Sequence, residues 1–268
     1  MSVHPAWCGM VASSIRIFAT LAFGGHVAEK RARLAVEKDV DRAVQRGAAG
    51  RGADEGGAWL VRTPRGLALT DGRLELVEDF AELLPRLRPD RLGRELLVRA
   101  ARVRGAEAPT VVDATAGLGE DSLLLAASGF AVTLCERDAT IAALLADALE
   151  RAANEPLLAP IVSRMRLVEG DSTEVLASLS APPDVVYLDP MFPGRTKSAA
   201  VKKKFQLLHH LEPPCEDADT LLAAALAACP RKVVVKRPVK AEPLAGARPS
   251  HAVSGKAVRY DVVVCALG

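Results

Sequence analysis

The feature that most constrains the fold is a regular alternation of apolar runs and helix-length runs between residues 105 and 238. The apolar runs are short and rich in Val and Leu, as is typical of buried strands. Strands that alternate with helices predict a mostly parallel sheet with helices on both faces. We expect the elements at 111–113, 121–129, 131–135, 138–152, 165–168, 172–179, 184–188, 217–228 and 231–236.

The pattern changes after Pro238, where 252–253 and 260–266 are predicted as two final antiparallel strands. The predicted fold class is therefore α/β, with a Rossmann-like, mostly parallel sheet and an antiparallel C-terminal hairpin. A small N-terminal α/β unit is expected over residues 1–90, and the main domain over 91–268.

The N-terminal unit begins with an apolar stretch from Trp7 to Gly25 that Arg16 interrupts. The stretch is too short and too interrupted for a membrane span, and it makes a poor signal peptide. A strand at 14–22 is the better interpretation. Further on, 59–69 and 73–77 are predicted to pair as a hairpin around Thr70-Asp71-Gly72.

A glycine-containing loop follows the first strand of the main domain. The strand ends in Asp113, the loop contains Gly117 and Gly119 and continues through Glu120, and a helix opens at Asp121. Glycines in such a loop allow the backbone to approach a nucleoside and direct the first N–H groups of the helix toward it. The motif is weak evidence alone, because many α/β turns contain it.

Two further strands strengthen the prediction of a nucleoside site. The second strand ends in Glu136, 19 residues after Gly117, which is the spacing of an acid that binds the two hydroxyls of a ribose. The third strand ends near Asp171-Ser172, which could hold the edge of an adenine. Polar residues at the ends of three successive strands are difficult to explain by packing alone.

The charge of the loop discriminates between two kinds of nucleoside cofactor. A nicotinamide dehydrogenase needs a positive helix start for the pyrophosphate, whereas Glu120 and Asp121 place two acids there. Acids repel a polyanion and suit a sulfonium ligand such as S-adenosylmethionine. The sequence thus favours a methyltransferase, with a dehydrogenase as the alternative.

The run Asp189-Pro-Met-Phe-Pro193 closes another apolar strand. A planar amine is a poor nucleophile until hydrogen-bond acceptors hold its N–H groups. The carboxylate of Asp189 and the carbonyl of Pro190 are candidate acceptors, and the ring of Phe192 could lie flat against the base that carries the amine. The structural alternative is an ordinary turn, because Asp-Pro often opens one.

Basic residues follow this turn directly. The stretch 195–204 holds five cations and no acid, and Lys236-Arg237 end a neighbouring strand. A solvated helix start is the usual explanation of such a run, but its position favours contacts with the phosphates of a nucleic acid. The candidate RNA-binding residues are Arg195, Lys197, Lys202, Lys203, Lys204, Lys236 and Arg237.

Composition excludes several other classes of site. The net charge is only +2, so any nucleic-acid surface must be a local patch. The five cysteines form no Cys-x-x-Cys pair and have no histidine at ligand spacing, so neither a metal site nor a disulfide framework is predicted. These features indicate a reduced, cytoplasmic protein.

Four motifs in order resemble the ribosomal RNA small subunit methyltransferase J family. They are Asp113-Ala-Thr-Ala-Gly-Leu-Gly119 with Asp121, Val185 to Pro193, Lys197-Ser198 with Val201-Lys-Lys203, and Lys232 to Pro238. The resemblance implies methyl transfer from S-adenosylmethionine to the exocyclic N2 of a guanine in 16S rRNA. It also implies cofactor contacts at Glu120, Asp121, Glu136, Arg137, Asp171, Ser172 and Asp189.

The residues themselves leave other functions open. Adenine N6 and a protein glutamine amide also present planar nitrogens to a methyltransferase. A non-enzymatic RNA-binding module would bind RNA without transferring a methyl group, and would tolerate the loss of Asp189.

Overall fold

The computed structural model describes residues 16–18, 57–190, 207 and 218–265. Eleven strands lie in these ranges, in one large and one small sheet. They are Arg16–Phe18 (β1), Trp59–Thr63 (β2), Gly66–Thr70 (β3), Glu75–Val77 (β4), Thr110–Asp113 (β5), Ala131–Glu136 (β6), Met165–Glu169 (β7), Val185–Leu188 (β8), Lys232–Pro238 (β9), His251–Ser254 (β10) and Val258–Val264 (β11).

The helices of the described ranges lie mainly between the strands of the large sheet. They are Leu96–Ala101 (α1), Glu120–Ala127 (α2), Ala139–Ala153 (α3), Ala159–Val162 (α4), Ser172–Ala177 (α5) and Ala218–Ala227 (α6). Short helical turns lie at Phe80–Leu83, Leu84–Leu87, Pro89–Leu92 and Leu244–Gly246. None of the helices in the described ranges has the length and apolar character needed to cross a lipid bilayer.

The large sheet has eight strands in the order β1-β7-β6-β5-β8-β9-β11-β10. Its five central strands, β7, β6, β5, β8 and β9, are parallel, whereas β11 pairs antiparallel with β9 and with β10. The predicted α/β class and the antiparallel C-terminal hairpin are confirmed. The strand order reverses between β5 and β8, and ligands of open α/β sheets bind at the carboxyl ends of the strands near such a point.

Strand β8 shows why the central strands form. All four of its residues are buried, as expected of a parallel strand that helices cover on both faces. Val185 and Tyr187 join one core cluster, and Val186 and Leu188 join the other. Because side chains alternate along a strand, this one apolar run contributes to the cores on both faces of the sheet.

The small sheet, in the order β2-β3-β4, packs on α3. Leu67 and Leu69 of β3 share a core cluster with Ile141 and Leu144 of α3. The backbone N–H of Leu67 also donates to Asp147 Oδ2 across 3.1 Å. This packing places the small sheet beside the loop that follows β5, because Leu118 of that loop belongs to the same cluster.

The predicted hairpin is confirmed in part. Strands β3 and β4 pair across residues 71–74, as expected, but the run 59–69 is itself a hairpin of β2 and β3. The chain turns at Pro64-Arg65, where proline cannot continue the ladder and Gly66 has a φ of +126°. The predicted strand therefore divides into two.

The N-terminal strand also differs from the prediction. We expect it within a small N-terminal unit, whereas β1 lies at the edge of the large sheet, antiparallel to β7. An open edge of a parallel sheet presents unpaired N–H and C=O groups that an added strand satisfies. The division of the chain at residue 90 stays a prediction.

Candidate active site at the carboxyl end of the sheet

The loop after β5 contains two glycines with different environments. Both have left-handed backbone angles, with φ of +53° at Gly117 and +81° at Gly119. A Cβ on Gly119 would lie 2.6 Å from Leu145 Cδ1, so this residue permits close packing of the loop. A Cβ on Gly117 would meet no described atom within 4 Å. The backbone at Gly117 thus borders open space.

Asp113, the last residue of β5, holds this loop in shape. Its Oδ2 accepts a hydrogen bond of 2.6 Å from the Ser122 hydroxyl, and its Oδ1 accepts one of 3.1 Å from the Thr115 N–H. The residue is only 1% exposed, and burial raises the pKa of its carboxyl to about 7. Asp113 therefore acts through the loop, with both oxygens directed into the protein.

Glu136 ends β6 beside the same loop. Its Oε2 accepts the N–H of Gly117 across 3.0 Å, and its Oε1 accepts the N–H of Asp138 across 2.8 Å. These bonds fix the carboxylate at the glycine that borders open space. Sequence spacing predicts this neighbourhood of Gly117 and Glu136.

The third strand end carries Asp171, which caps α5. Its Oδ1 accepts both the N–H and the hydroxyl of Thr173. Burial works to raise the pKa of Asp171, but the hydrogen bonds from Thr173 and the charge of Arg137 outweigh it and lower that pKa. The acid is therefore ionised and oriented at the start of the helix, with Ser172 as the first helical residue.

The most unusual feature of this edge is a lysine shared by two aspartates. Lys236 Nζ of β9 lies 2.8 Å from Asp121 Oδ2 and 2.7 Å from Asp189 Oδ2. Asp121 Oδ2 also accepts the Tyr187 hydroxyl across 2.6 Å. The lysine thus connects the start of α2, at the glycine loop, to the residue that follows β8.

The charges of this cluster shift one another's ionisation. Burial acts to lower the pKa of Lys236, but the carboxylates of Asp121 and Asp189 outweigh it and raise that pKa. Burial would raise the pKa of Asp121, yet Lys236 and the Tyr187 hydroxyl lower it overall. For Asp189, burial predominates over the attraction of Lys236 and raises the pKa.

Two members of the site are not among the residues predicted for it. The Thr115 hydroxyl accepts the backbone N–H of Asp189 across 2.6 Å and so ties the glycine loop to the end of β8. Tyr187 lies inside an apolar run, where a buried phenolic hydroxyl requires a partner. That requirement was the available signal for Tyr187, whereas the bond of Thr115 depends on tertiary structure.

Most of the predicted site residues come together at this edge. Those that the structure places there are Asp113, Gly117, Gly119, Glu120, Asp121, Glu136, Arg137, Asp171, Ser172, Asp189 and Pro190. Outside the described residues lie Phe192, Arg195, Lys197, Lys202, Lys203 and Lys204. Within the described ranges, no group of three or more His, Cys, Asp or Glu side chains could hold a metal ion.

Two of the predicted RNA-binding residues, Lys236 and Arg237, have partners within the protein. Lys236 is engaged with Asp121 and Asp189, as described above. Arg237 is 7% exposed, and its Nε and Nη2 donate to the carbonyl of Glu242. Because side chains at adjacent positions of a strand point to opposite faces, Lys236 and Arg237 lie on different faces of the sheet, and each is bound to other parts of the protein.

A comparison with protein families identifies the class of enzyme. The family model described as "Putative SAM-dependent methyltransferase" matches residues 52–265. The chain belongs to this family. Its cofactor is S-adenosylmethionine. The fold of the chain is similar to that of a crystal structure of a SAM-dependent methyltransferase from Neisseria gonorrhoeae. That structure has a TM-score of 0.68 and 31% identity, over 87% of this chain and 93% of the other.

Curated relatives carry a more specific name. A protein of Thioalkalivibrio sulfidiphilus named "Ribosomal RNA small subunit methyltransferase J" is 53% identical over 175 residues, 65% of this chain and 69% of the relative. A protein of the same name from Pseudomonas fluorescens is 48% identical over 63% of this chain and 65% of its own length. The predicted resemblance is confirmed, and the match spans about two thirds of each relative.

The side chains at this edge fit the cofactor of the family. Gly117 leaves open space beside the oriented carboxylate of Glu136, as a ribose requires. Asp121 and Asp189 place two carboxyl groups against the single ammonium group of Lys236. The excess of acidic groups suits a sulfonium and an ammonium group, and would repel a pyrophosphate.

Proposed function

We propose that this methyltransferase acts on the exocyclic N2 of a guanine in 16S rRNA, as free rRNA or within the small ribosomal subunit. The observation that carries the proposal is the position of Asp189. It follows β8 at the topological switch point, and Lys236 links it to the glycine loop. The names of the relatives give the substrate class, and an rRNA substrate implies a cytoplasmic enzyme.

The cofactor would be held along the carboxyl ends of three strands. Glu136 would accept the ribose hydroxyls, with the adenine edge toward Asp171 and Ser172 and with Arg137 close by. Asp113 would act by shaping the loop of Gly117 and Gly119. When bound, S-adenosylmethionine supplies an electrophilic methyl group on a positively charged sulfur.

The acceptors for the target amine would be Asp189 and the carbonyl of Pro190. Only Oδ2 of Asp189 is engaged by Lys236, and its Oδ1 has no hydrogen-bond partner among the described residues. The side chain is also 36% exposed, so a substrate can reach it. An N–H of the amine that donates to Oδ1 leaves the nitrogen lone pair free to attack, with the ring of Phe192 against the base.

Lys236 would position this carboxylate. The Nζ that holds Oδ2 fixes the rotation of the side chain, and its charge opposes the effect of burial on the Asp189 pKa. As the amine nitrogen becomes cationic, the ionised carboxylate stabilises it and is the proposed acceptor of its proton. Correct positioning of the amine supplies most of the remaining rate enhancement.

Binding of the RNA would use phosphate contacts from the basic run of residues 195–204. This role of Arg195, Lys197, Lys202, Lys203 and Lys204 stays a proposal, supported by their charge and by their position in the sequence directly after the Asp189 turn.

The test is incorporation of a tritiated methyl group from S-adenosylmethionine into 30S subunits and into free 16S rRNA, followed by nucleoside mass spectrometry. We expect N2-methylguanosine as the product. Methylated adenosine, or label in ribosomal protein and not in RNA, would contradict the proposal and favour another planar nitrogen. Asp189→Asn serves as the inactive control.

A further inference from the structure

A second basic segment precedes the main domain's first strand and has no role in the site described so far. Residues 86–104 contain seven arginines and two acids, in a chain whose net charge is only +2. The rest of the chain is therefore net negative. A polyanion would therefore be attracted to local basic patches, of which this segment is one.

Both acids of the segment are already engaged. Glu95 accepts Nε and Nη2 of Arg86, each across 2.9 Å, and Asp90 pairs with Arg88 across 3.2 Å. Arg91 and Arg94 are exposed, and their side chains have no hydrogen-bond or ion-pair partner among the described residues. A solvated helix face normally mixes the two signs of charge, whereas these two arginines are uncompensated.

The segment begins at the edge of the sheet that carries the active site. The positive charge of Arg86 helps to lower the pKa of Asp121, the residue that shares Lys236 with Asp189. Arg94 adjoins Glu95, which holds Arg86. Arg86 therefore lies close to the network that ends at Asp189, and Arg91 and Arg94 belong to the segment that Arg86 begins.

Two lysines extend this surface on the adjoining strands. A Cβ on Gly255 would lie 2.6 Å from Leu96 Cδ1, so the β10–β11 turn touches the start of α1. In that turn Lys256 is exposed, and Ala257 accepts the N–H of Val239, which adjoins exposed Lys240. Neither lysine has a side-chain partner among the described residues.

We infer that Arg91, Arg94, Lys240 and Lys256 form a basic rim that binds the phosphodiester backbone of the RNA substrate beside the extruded base. The inference rests on the proposed function and adds a contact surface to it. An enzyme that takes one base out of its stack must hold the flanking backbone, and phosphate contacts are the usual means. The rim would supply them on the side of α1.

The same segment provides a matched control at the opposite edge of the sheet. Lys232, the first residue of β9, donates its Nζ to the carbonyl of Arg102 across 2.9 Å. Arg102 and Arg104 are exposed and lie at the amino ends of the strands, far from Asp189 along β9. Replacing them removes the same charge as replacing Arg91 and Arg94.

The experiment measures binding of 16S rRNA transcribed in vitro, and of 30S subunits, between 50 and 200 mM salt. For Arg91→Ala with Arg94→Ala, we expect the salt slope of log affinity to fall by about two, with affinity about tenfold weaker or more at 0.1 M salt. Arg102→Ala with Arg104→Ala should behave as the parent does. Unchanged S-adenosylmethionine affinity by calorimetry confirms that each variant is folded.

Equal salt slopes of RNA binding in the Arg91→Ala, Arg94→Ala variant and the Arg102→Ala, Arg104→Ala variant would contradict the basic rim. A parent protein that binds neither 16S rRNA nor 30S subunits would also contradict it. The identity of the methylated nucleoside tests the proposed function separately. If the product is N2-methylguanosine but the salt slope of the Arg91→Ala, Arg94→Ala variant is unaltered, the basic rim is wrong and the proposed function stands. If that slope is reduced but a different base is methylated, the guanine assignment is wrong and the basic rim stands.

Discussion

Two aspartates flank strand β8, and they differ in how their carboxylates are used. Asp184 lies at the amino end of β8. Its Oδ1 pairs with Arg231 Nε across 3.0 Å, and its Oδ2 accepts the N–H and the hydroxyl of Thr110. Asp189, at the carboxyl end, accepts Lys236 Nζ with Oδ2, and its Oδ1 has no partner among the described residues. Both oxygens of Asp184 serve the fold, whereas Asp189 keeps one oxygen available for a ligand.

Two lysines of strand β9 also differ between the two edges, in the charge of their partners. Lys232 donates to the neutral carbonyls of Ala100 and Arg102, and burial lowers its pKa. Four residues later, Lys236 lies between two carboxylates that raise its pKa. A lysine thus binds backbone carbonyls at the amino edge of the sheet, and a lysine pairs with two carboxylates at the carboxyl edge. For the two aspartates, complete pairing at the amino edge indicates a structural role, and the oxygen of Asp189 that has no partner among the described residues indicates function.

The comparison predicts the largest difference for the two aspartates. Asp189→Asn retains the shape but removes the charge and can present an N–H where an acceptor is needed. We expect the single-turnover rate of methyl transfer at saturating cofactor to fall by roughly 10²-fold or more. RNA affinity should change little, because phosphate contacts provide most of it.

Asp184→Asn is the matched control for this substitution. It weakens the bonds to Arg231 and Thr110, so we expect stability to fall by about 1 kcal/mol, with a transfer rate within about twofold of the parent. Comparable losses of transfer rate in Asp184→Asn and Asp189→Asn would contradict the assignment of function to Asp189 and of a structural role to Asp184.

The next effect concerns the cofactor. Glu136→Ala removes the carboxylate proposed to bind the ribose hydroxyls, and should weaken S-adenosylmethionine binding by about 1–3 kcal/mol in calorimetry. RNA affinity should stay close to that of the parent, and Asp184→Asn should leave cofactor affinity intact. A folded Glu136→Ala protein with parental cofactor affinity would remove Glu136 from the cofactor site.

A smaller effect is expected from the basic run after Asp189. Alanine at Lys202, Lys203 and Lys204 together should reduce the salt slope of RNA binding by up to about three phosphate contacts, without loss of cofactor binding. A triple variant with the slope of the parent would show that these lysines are a solvated face.

The sequence predicted the order of elements well, because helices that cover both faces of a sheet leave apolar strands of distinctive length. It also placed Gly117 and Glu136 in one nucleoside site, since their spacing reflects one β-α-β unit. It did not predict that Lys236 pairs with two carboxylates. The carboxylates that hold Lys236 come from residues 115 and 47 positions away in the chain. Such long-range pairing carries no local signal.

The most direct test of the account is the pH dependence of single-turnover methyl transfer in the parent and in three lysine variants. The central claim is that an ionised Asp189, held by Lys236, accepts the amine. The rate should therefore be lost as pH falls through the raised pKa of Asp189. Lys236→Met removes the cation that opposes the rise in the Asp189 pKa. The pH at which the rate falls on the acidic side of the profile should therefore be higher in this variant by about one pH unit or more.

Lys236→Arg keeps the charge, so its rate should fall at the same acidic pH as the rate of the parent. Lys232→Met should also leave that pH unchanged. Circular dichroism and calorimetric cofactor binding establish that each variant is folded. A rate that falls at the same acidic pH in Lys236→Met and Lys232→Met alike would contradict the account.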